Sequence, residues 1–404
     1  MPPLKSQRLV VLVVAATLLK LLLNTGRRFI YPFAPALSRD LGVPLSAVTS
    51  IIASSQAISL LGLFSGPLAD RIGYRLMMQA GLAMLAVGML TCGLVPEYWP
   101  LFFGLIIASF GKTVFDPAIQ AFIGHTVPYE NRGRVIGFLE MSWAGSTLIG
   151  IPAFALIIDQ AGFRFSFYFL AILAAIGWIS IGWIITPELS NSSSPNGKRA
   201  LLSSLKELFA SRPAAGMLAY GFWISLANDS LFVVYGAWFE QAFLASIMTL
   251  GFSTVAIGSA ELLGESMTAL FSDRLGLKRA VVTGLLITSV AYLVLPHIGQ
   301  TLPLAMAGIF FIFIAFEFTM VTSFSLCTEL MPSQRATMMA GFYATAGIGR
   351  MIGVLVGGLL WEIGGITAVS WVAASATLLA LCSLLWGLHH WRQGSGSGKT
   401  GSGA

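Results

Sequence analysis

Apolar residues run in blocks of about 20 along the whole chain, separated by short polar stretches. A helix of that length matches the hydrocarbon thickness of a bilayer, so the pattern predicts a polytopic, all-α membrane protein. About twelve spans are expected, at residues 9–36, 46–66, 76–95, 100–122, 135–159, 165–186, 214–240, 246–271, 280–297, 302–328, 336–361 and 367–391. Lys5 and Arg8 precede the first block. That block is long, and no small-residue cleavage site follows it, so it is expected to remain as the first span. The low-complexity tail, residues 392–404, reads as disordered and of linker or appended origin.

Composition supports the membrane reading. The 404 residues are 56% hydrophobic and only 10% charged, against about 25% charged in soluble domains. Cys92, Cys327 and Cys382 each lie in an apolar run, without disulfide or metal-ligand spacing, so no metal or cofactor is expected. The net charge of +6 reflects topology rather than nucleic-acid binding. With a cytoplasmic N-terminus, sixteen of the 23 Lys and Arg fall on the cytoplasmic side. Two, Arg39 and Arg164, fall on the opposite side, and five lie within spans. This asymmetry predicts an inner-membrane protein with both termini cytoplasmic.

Residues 187–213 form a polar linker that divides the chain. Leu201, Leu202, Leu205, Leu208 and Phe209 share one helical face there, which suggests a short helix on the membrane surface. The expected units are an N-terminal six-helix bundle (1–186), the linker, and a C-terminal six-helix bundle (214–391). The two halves repeat at an offset of about 204: Asn24 and Tyr31 match Asn228 and Tyr235. "DRIGYR" (Asp70 to Arg75) matches "DRLGLK" (Asp273 to Lys278). Pro128, Gly137 and Phe138 match Pro332, Gly341 and Phe342, and Asp159 matches Glu362. Parallel repeats of this kind place a substrate site between the halves, near the bilayer midplane.

"GPLADRIGYR", Gly66 to Arg75, carries a Gly, then Asp-Arg four and five positions on, then Gly and a basic residue. With the duplication and the span count, the chain resembles the major facilitator superfamily. The second copy, "ALFSDRLGLKR", has Ala269 at the first Gly position and is degenerate. "GSTLIGIP", Gly145 to Pro152, is similar to a loose form of the glycine-proline motif of proton-coupled antiporters; Ala153 and Phe154 replace its later glycines. Glycine-rich helix packing explains the same residues. The resemblance implies alternating access. Gly66, Asp70, Arg71, Gly73, Arg75, Asp273, Arg274 and Arg335 are its expected cytoplasmic gate, or alternatively residues that only set topology.

Within spans lie the bases Lys20, Arg27, Arg28, Lys112 and Arg350, and the acids Asp116, Glu140, Asp229, Glu261, Glu265 and Glu317. At roughly 2.5–3.5 kcal/mol each, left unpaired in lipid, they would cost on the order of 30 kcal/mol, so most must face a cavity or one another. Lys20, Asn24, Arg27, Arg28 and Tyr31 form one polar stripe along the first span. Lys112 and Asp116 have ion-pair spacing. Glu261 and Glu265 have the same spacing with like charge, which suits proton coupling or separate structural partners. Asn24, Tyr31, Asn228 and Tyr235 form an expected quasi-symmetric cavity set. The expected substrate residues are Asn24, Arg27, Arg28, Tyr31, Lys112, Asp116, Glu140, Asn228, Tyr235 and Arg350. The expected proton carriers are Asp116, Glu140, Asp229, Glu261, Glu265 and Glu317. Trp143, Phe222, Trp223, Trp238 and Phe342 are candidates for an apolar wall.

The expected function is secondary active transport of a small organic solute, by proton-coupled efflux from a monomer. Alternatives are uptake, exchange or flipping of an anionic solute or lipid, and a non-transporting sensor. No catalytic motif points to an enzyme.

Overall fold

The structure, a computed structural model, describes residues 6–61, 65, 68–69, 72–127, 129–185, 210–331 and 335–389. The side chains of residues 6–9, 124–125, 129–134, 269, 273, 328 and 335–337 fall outside that description. So do Gly66, Asp70, Arg71, Pro128, Pro332, the surface helix expected over 201–209 and the tail.

The described residues are helical, with no strand among them. In the first half these are α1 (Ser6–Arg28), α2 (Ile30–Asp40), α3 (Leu45–Ala57), α4 (Tyr74–Leu94), α5 (Tyr98–Thr126), α6 (Tyr129–Gly145) and α7 (Ile151–Ile184). A 3-10 turn, Ile58–Leu61, follows α3, and a π turn, Ser146–Gly150, joins α6 to α7. The second half holds α8 (Arg212–Phe232), α9 (Tyr235–Phe243), α10 (Ile247–Leu275), α11 (Leu277–Ile298), α12 (Leu302–Leu330) and α13 (Arg335–Gly387).

Nine stretches among the described residues are long and apolar enough to cross a membrane. Two of them, Val135–Ile184 and Met338–Gly387, are each 50 residues long. A straight helix of that length would reach about 75 Å, far beyond a bilayer. Both turn back instead. Gly162 (φ 78°) breaks α7, and Phe154 then faces Phe169 across a 6.0 Å ring contact. Gly364 and Gly365 break α13. Before the break, Gly349, Gly353 and Gly357 lie on the backbone of Phe222, Leu226 and Ser230; after it, Gly387 meets Gly216. Glycines four residues apart let the two helix backbones touch.

The duplication is visible in the backbone. Gly73 and Gly276 both have positive φ, as do Gly162 and Gly365, and each pair keeps an offset of 203. The first span of each half is not one helix as expected but two. The first breaks at Phe29 and the second at Val233–Val234. Pro32 supplies no N–H for the Arg28 carbonyl, which opens the ladder in the first copy.

The halves meet from mid-height to the end away from the termini. There Gly236 lies on the Pro32 carbonyl, Gly251 on Ala155, Gly258 on Thr147 and Leu148, and Gly358 on Thr49. Arg39 and Glu240 close that end with two hydrogen bonds, 2.5 and 2.7 Å long. Toward the end carrying the termini, Glu140 is 45% exposed and Tyr343 54% exposed. The halves diverge there into a cleft.

Candidate functional site

Arg28 ends α1 at the helix break and is buried at mid-height. Its Nη2 donates to Glu261 Oε1 at 2.5 Å and its Nη1 to Oε2 at 3.4 Å. This is a two-armed, charge-assisted bond between the halves. Nη1 also reaches the Trp143 carbonyl at 3.1 Å and Ser146 Oγ at 3.4 Å. The guanidinium carbon sits 4.0 Å from the Trp143 ring centroid, and that of Arg350 sits 5.6 Å away.

The "GSTLIGIP" segment completes this clamp. Its π turn places Thr147 against α10, where Thr147 Oγ1 donates to Glu261 Oε2 at 2.5 Å. In a π turn the N–H of residue 152 would bond the carbonyl of residue 147. Pro152 has none. The Thr147 carbonyl instead accepts from Thr254 Oγ1 at 2.8 Å, a further bond between the halves.

A second chain crosses nearby. Arg27 Nη2 donates to Gln56 Oε1, Gln56 Nε2 donates to the Tyr31 hydroxyl, and that hydroxyl donates to Asp229 Oδ1 at 3.1 Å. Arg350 Nε stands 3.9 Å from Asp229 Oδ2. Three links stay within the first half. Lys112 pairs with Asp116, Lys20 Nζ lies 2.5 Å from Glu140, and Gln120 Nε2 donates to Glu140 at 3.1 Å. Asn24 Nδ2 donates to Ser142 Oγ at 3.1 Å.

The structure thus brings together Arg27, Arg28, Tyr31, Asp229, Glu261 and Arg350. Lys20, Lys112, Asp116 and Glu140 lie toward the cleft. Of the like-charged Glu261 and Glu265, Glu261 is bonded by Arg28 and Thr147, and Glu265 lies within its electrostatic reach. Glu265, and Glu317 on α12, have no hydrogen-bond or ion-pair partner among the described residues. The quasi-symmetric set is unequal too. Asn24 Nδ2 and the Tyr31 hydroxyl are bonded, whereas Asn24 Oδ1, Asn228 Oδ1 and the Tyr235 hydroxyl are buried without hydrogen-bond partners among the described residues. Trp143 alone of the named aromatics contacts both arginines. Phe342 and Trp238 are buried in ring clusters, and Phe222 packs edge-on to Trp223. Of the expected gate, Gly73 starts α4, the Arg75 guanidinium lies beside Gly182, and Arg274 is exposed in the last turn of α10. Arg335 begins α13.

Sequence reading missed Gln56, Ser142, Ser146 and Thr147. Uncharged polar residues carry no desolvation signal of their own. Gln56 alone had a cue, because it is the one long polar side chain in α3.

A duplicated all-helical membrane fold, closed at one end around buried cross-half ion pairs, defines a solute transporter. The Major Facilitator Superfamily profile matches residues 16–260 and again 218–401, and the chain belongs to that superfamily. The uncharacterized MFS-type transporter YceJ of Bacillus subtilis is 22% identical over 309 residues, 75% of this chain and 77% of YceJ. Multidrug resistance protein MdtH of Salmonella newport is 25% identical over 339 residues, 81% of this chain and 77% of MdtH. The crystal structure of a bacterial homolog to the human lysosomal transporter Spinster, inward-facing and unoccupied, aligns with a TM-score of 0.70. Its identity is 16%, over 95% of this chain and 96% of its own. The protein is an integral membrane transporter of small-molecule solutes, not an enzyme.

Proposed function

We propose that this transporter exports a small organic solute in exchange for protons, by alternating access of the bundles 1–186 and 214–391 about the linker 187–213. In this reading the described helices make twelve crossings. Nine come from the long stretches, two more from their reversals, and one from α3 with its 3-10 turn. Both termini are cytoplasmic, and the cleft opens to the cytoplasm of the inner membrane. The positive-inside bias supports this orientation. The observation that carries the reading is the contrast at mid-height. Glu261 is clamped across the halves, while Glu265 and Glu317 beside it form no ion pair among the described residues. Protonating Glu261 removes the charge that holds Arg28, which loosens the closed end. Arg75, Arg274 and Arg335 then belong to the opposite gate. The likeness to MdtH, a multidrug resistance protein, supports export of an organic solute.

Reconstitution into proteoliposomes tests the coupling. A pH gradient should drive uptake of a dye substrate into inverted vesicles, and Glu261→Gln and Glu265→Gln should uncouple it. Flux indifferent to the gradient and to both substitutions would rule out proton coupling. Transport of an anionic solute or lipid is a second reading, motivated by the basic stripe of α1. Its bases are already engaged: Lys20 by Glu140, Arg28 by Glu261 and Arg27 by Gln56. Under that reading, charge reversal at Arg28 would abolish binding while loss of the α10 acids would not.

A further inference from the structure

The charged groups of the site do not balance by contact. Of the five intramembrane bases, four lie on carboxylates and Arg27 lies on the neutral Gln56. Four of the six acids are thereby occupied. The remaining two come from different helices and lie together. Glu317 leaves α12 against Gly264 of α10, so closely that a Cβ on that glycine would stand 2.7 Å from the Glu317 Cβ. Glu317 also lies within electrostatic reach of both Glu261 and Glu265 on α10. Glu317 is only 7% exposed, yet no described donor reaches its carboxylate. A carboxylate this buried is costly unless something positive meets it. Of the guanidiniums within electrostatic reach, Arg28 is bonded to Glu261, and Arg350 stands 3.9 Å from Asp229.

The wall beside it is aromatic. Phe324 lies seven residues beyond Glu317 on the same face of α12. Its ring is 5.5 Å from that of Tyr343 and 5.8 Å from that of Phe342. Tyr343 is exposed to the cleft, within electrostatic reach of Glu140 on the opposite half. Ring faces and carboxylates together favour a cation that carries apolar bulk.

We propose that Glu317, with Glu265, forms the binding site for the positively charged head of a lipophilic organic cation, whose apolar body rests on Phe324 and Tyr343. This names the solute class for the export reading and rests on it only for the direction of movement. The Gly264 notch is what allows the two helices to bring both carboxylates to one place. Any side chain there would push α12 away from α10.

Tetraphenylphosphonium and tetraphenylborate have the same shape and opposite charge. Equilibrium binding of each to the purified full chain, corrected with protein-free micelles, tests the site without any gradient. Tetraphenylphosphonium should bind at least roughly tenfold more tightly than tetraphenylborate. Glu317→Gln should weaken it by roughly tenfold or more, and Glu265→Gln by less. Equal binding of the two ions to the wild-type protein would overturn the proposal, and that comparison needs no variant to fold. Undiminished phosphonium binding by a folded Glu317→Gln protein would overturn it as well. Phosphonium binding without gradient-driven flux would leave the site standing and remove proton-coupled export. Gradient-driven flux of other solutes without phosphonium binding would do the reverse.

Discussion

The two halves share a backbone and differ in charge. Their helix breaks fall at equivalent places, Phe29 and Val233–Val234, and two pairs of positive-φ glycines match, Gly73 with Gly276 and Gly162 with Gly365. At Asn24 and Asn228, or Tyr31 and Tyr235, the side chains are identical, yet only the first-half copies are hydrogen-bonded at both of these positions. Charge accounts for the Tyr31 bond, whose acceptor is Asp229, whereas Asn24 meets the neutral Ser142 of its own half. The first half supplies Arg27 and Arg28, and the second supplies Asp229 and Glu261. Duplication therefore accounts for the scaffold, and divergence of a few positions accounts for what holds the halves together.

The largest break in this comparison is loss of Arg28. Arg28→Met leaves Glu261 buried without its cation, a change that costs about 3–5 kcal/mol in buried pairs. The melting temperature of the purified protein should fall accordingly. Arg28→Met combined with Glu261→Gln should recover most of the loss, because the buried charge is then gone. A double variant as unstable as the single one would mean that the pair does not couple the halves. Thr147→Val should cost less, about 1.5–3 kcal/mol for one hydrogen bond to a charged group. Thr147→Ser should stay near wild type in the same measurement.

The first of these contacts was half legible in the sequence. Intramembrane charges announce themselves by their desolvation cost, so Arg28, Glu261 and Asp229 stood out before any fold was known. Their pairing did not, because it depends on how two repeats dock across more than 200 residues of chain. The like-charge spacing of Glu261 and Glu265 pointed to a carboxylate pair. In the structure only Glu261 is bonded, by Thr147 of the π turn and by Arg28 at the end of α1. A π turn needs one residue more than the α-helical ladder, and no periodicity in "GSTLIGIP" marks it. The repeat, by contrast, was readable because glycines such as Gly73 and Gly276 are dictated by positive-φ backbone turns.

Gln56 offers a subtler test, because it joins the charge-rich half to the acid of the other without carrying charge. Gln56→Leu removes the acceptor for Arg27 and the donor to Tyr31, and should cost about 1–1.5 kcal/mol. Gln56→Glu should restore or exceed the wild-type melting temperature by pairing directly with Arg27. If both substitutions left stability unchanged, the Arg27 to Asp229 chain would contribute nothing to closure.

The smallest effect is expected at the closed end, where Arg39 meets Glu240 with geometry as good as that of Arg28 and Glu261. The difference is solvent: the Arg39 side chain is 61% exposed, that of Arg28 only 5%. The hydrogen bonds to Glu240 raise the Arg39 pKa above its ordinary value. For a base, a raised pKa means that the contribution is complete below the ordinary arginine range and is lost only above it. On the arginine side, physiological pH therefore leaves the bond intact. Salt does not, because exposed charges are screened. Arg39→Ala should cost about 0.2–1 kcal/mol, most at low ionic strength. The same shift should appear as more frequent opening of this end in spin-label distance measurements across α2 and α9. A large, salt-independent effect at Arg39 would show that closure is governed at the rim rather than at the buried clamp.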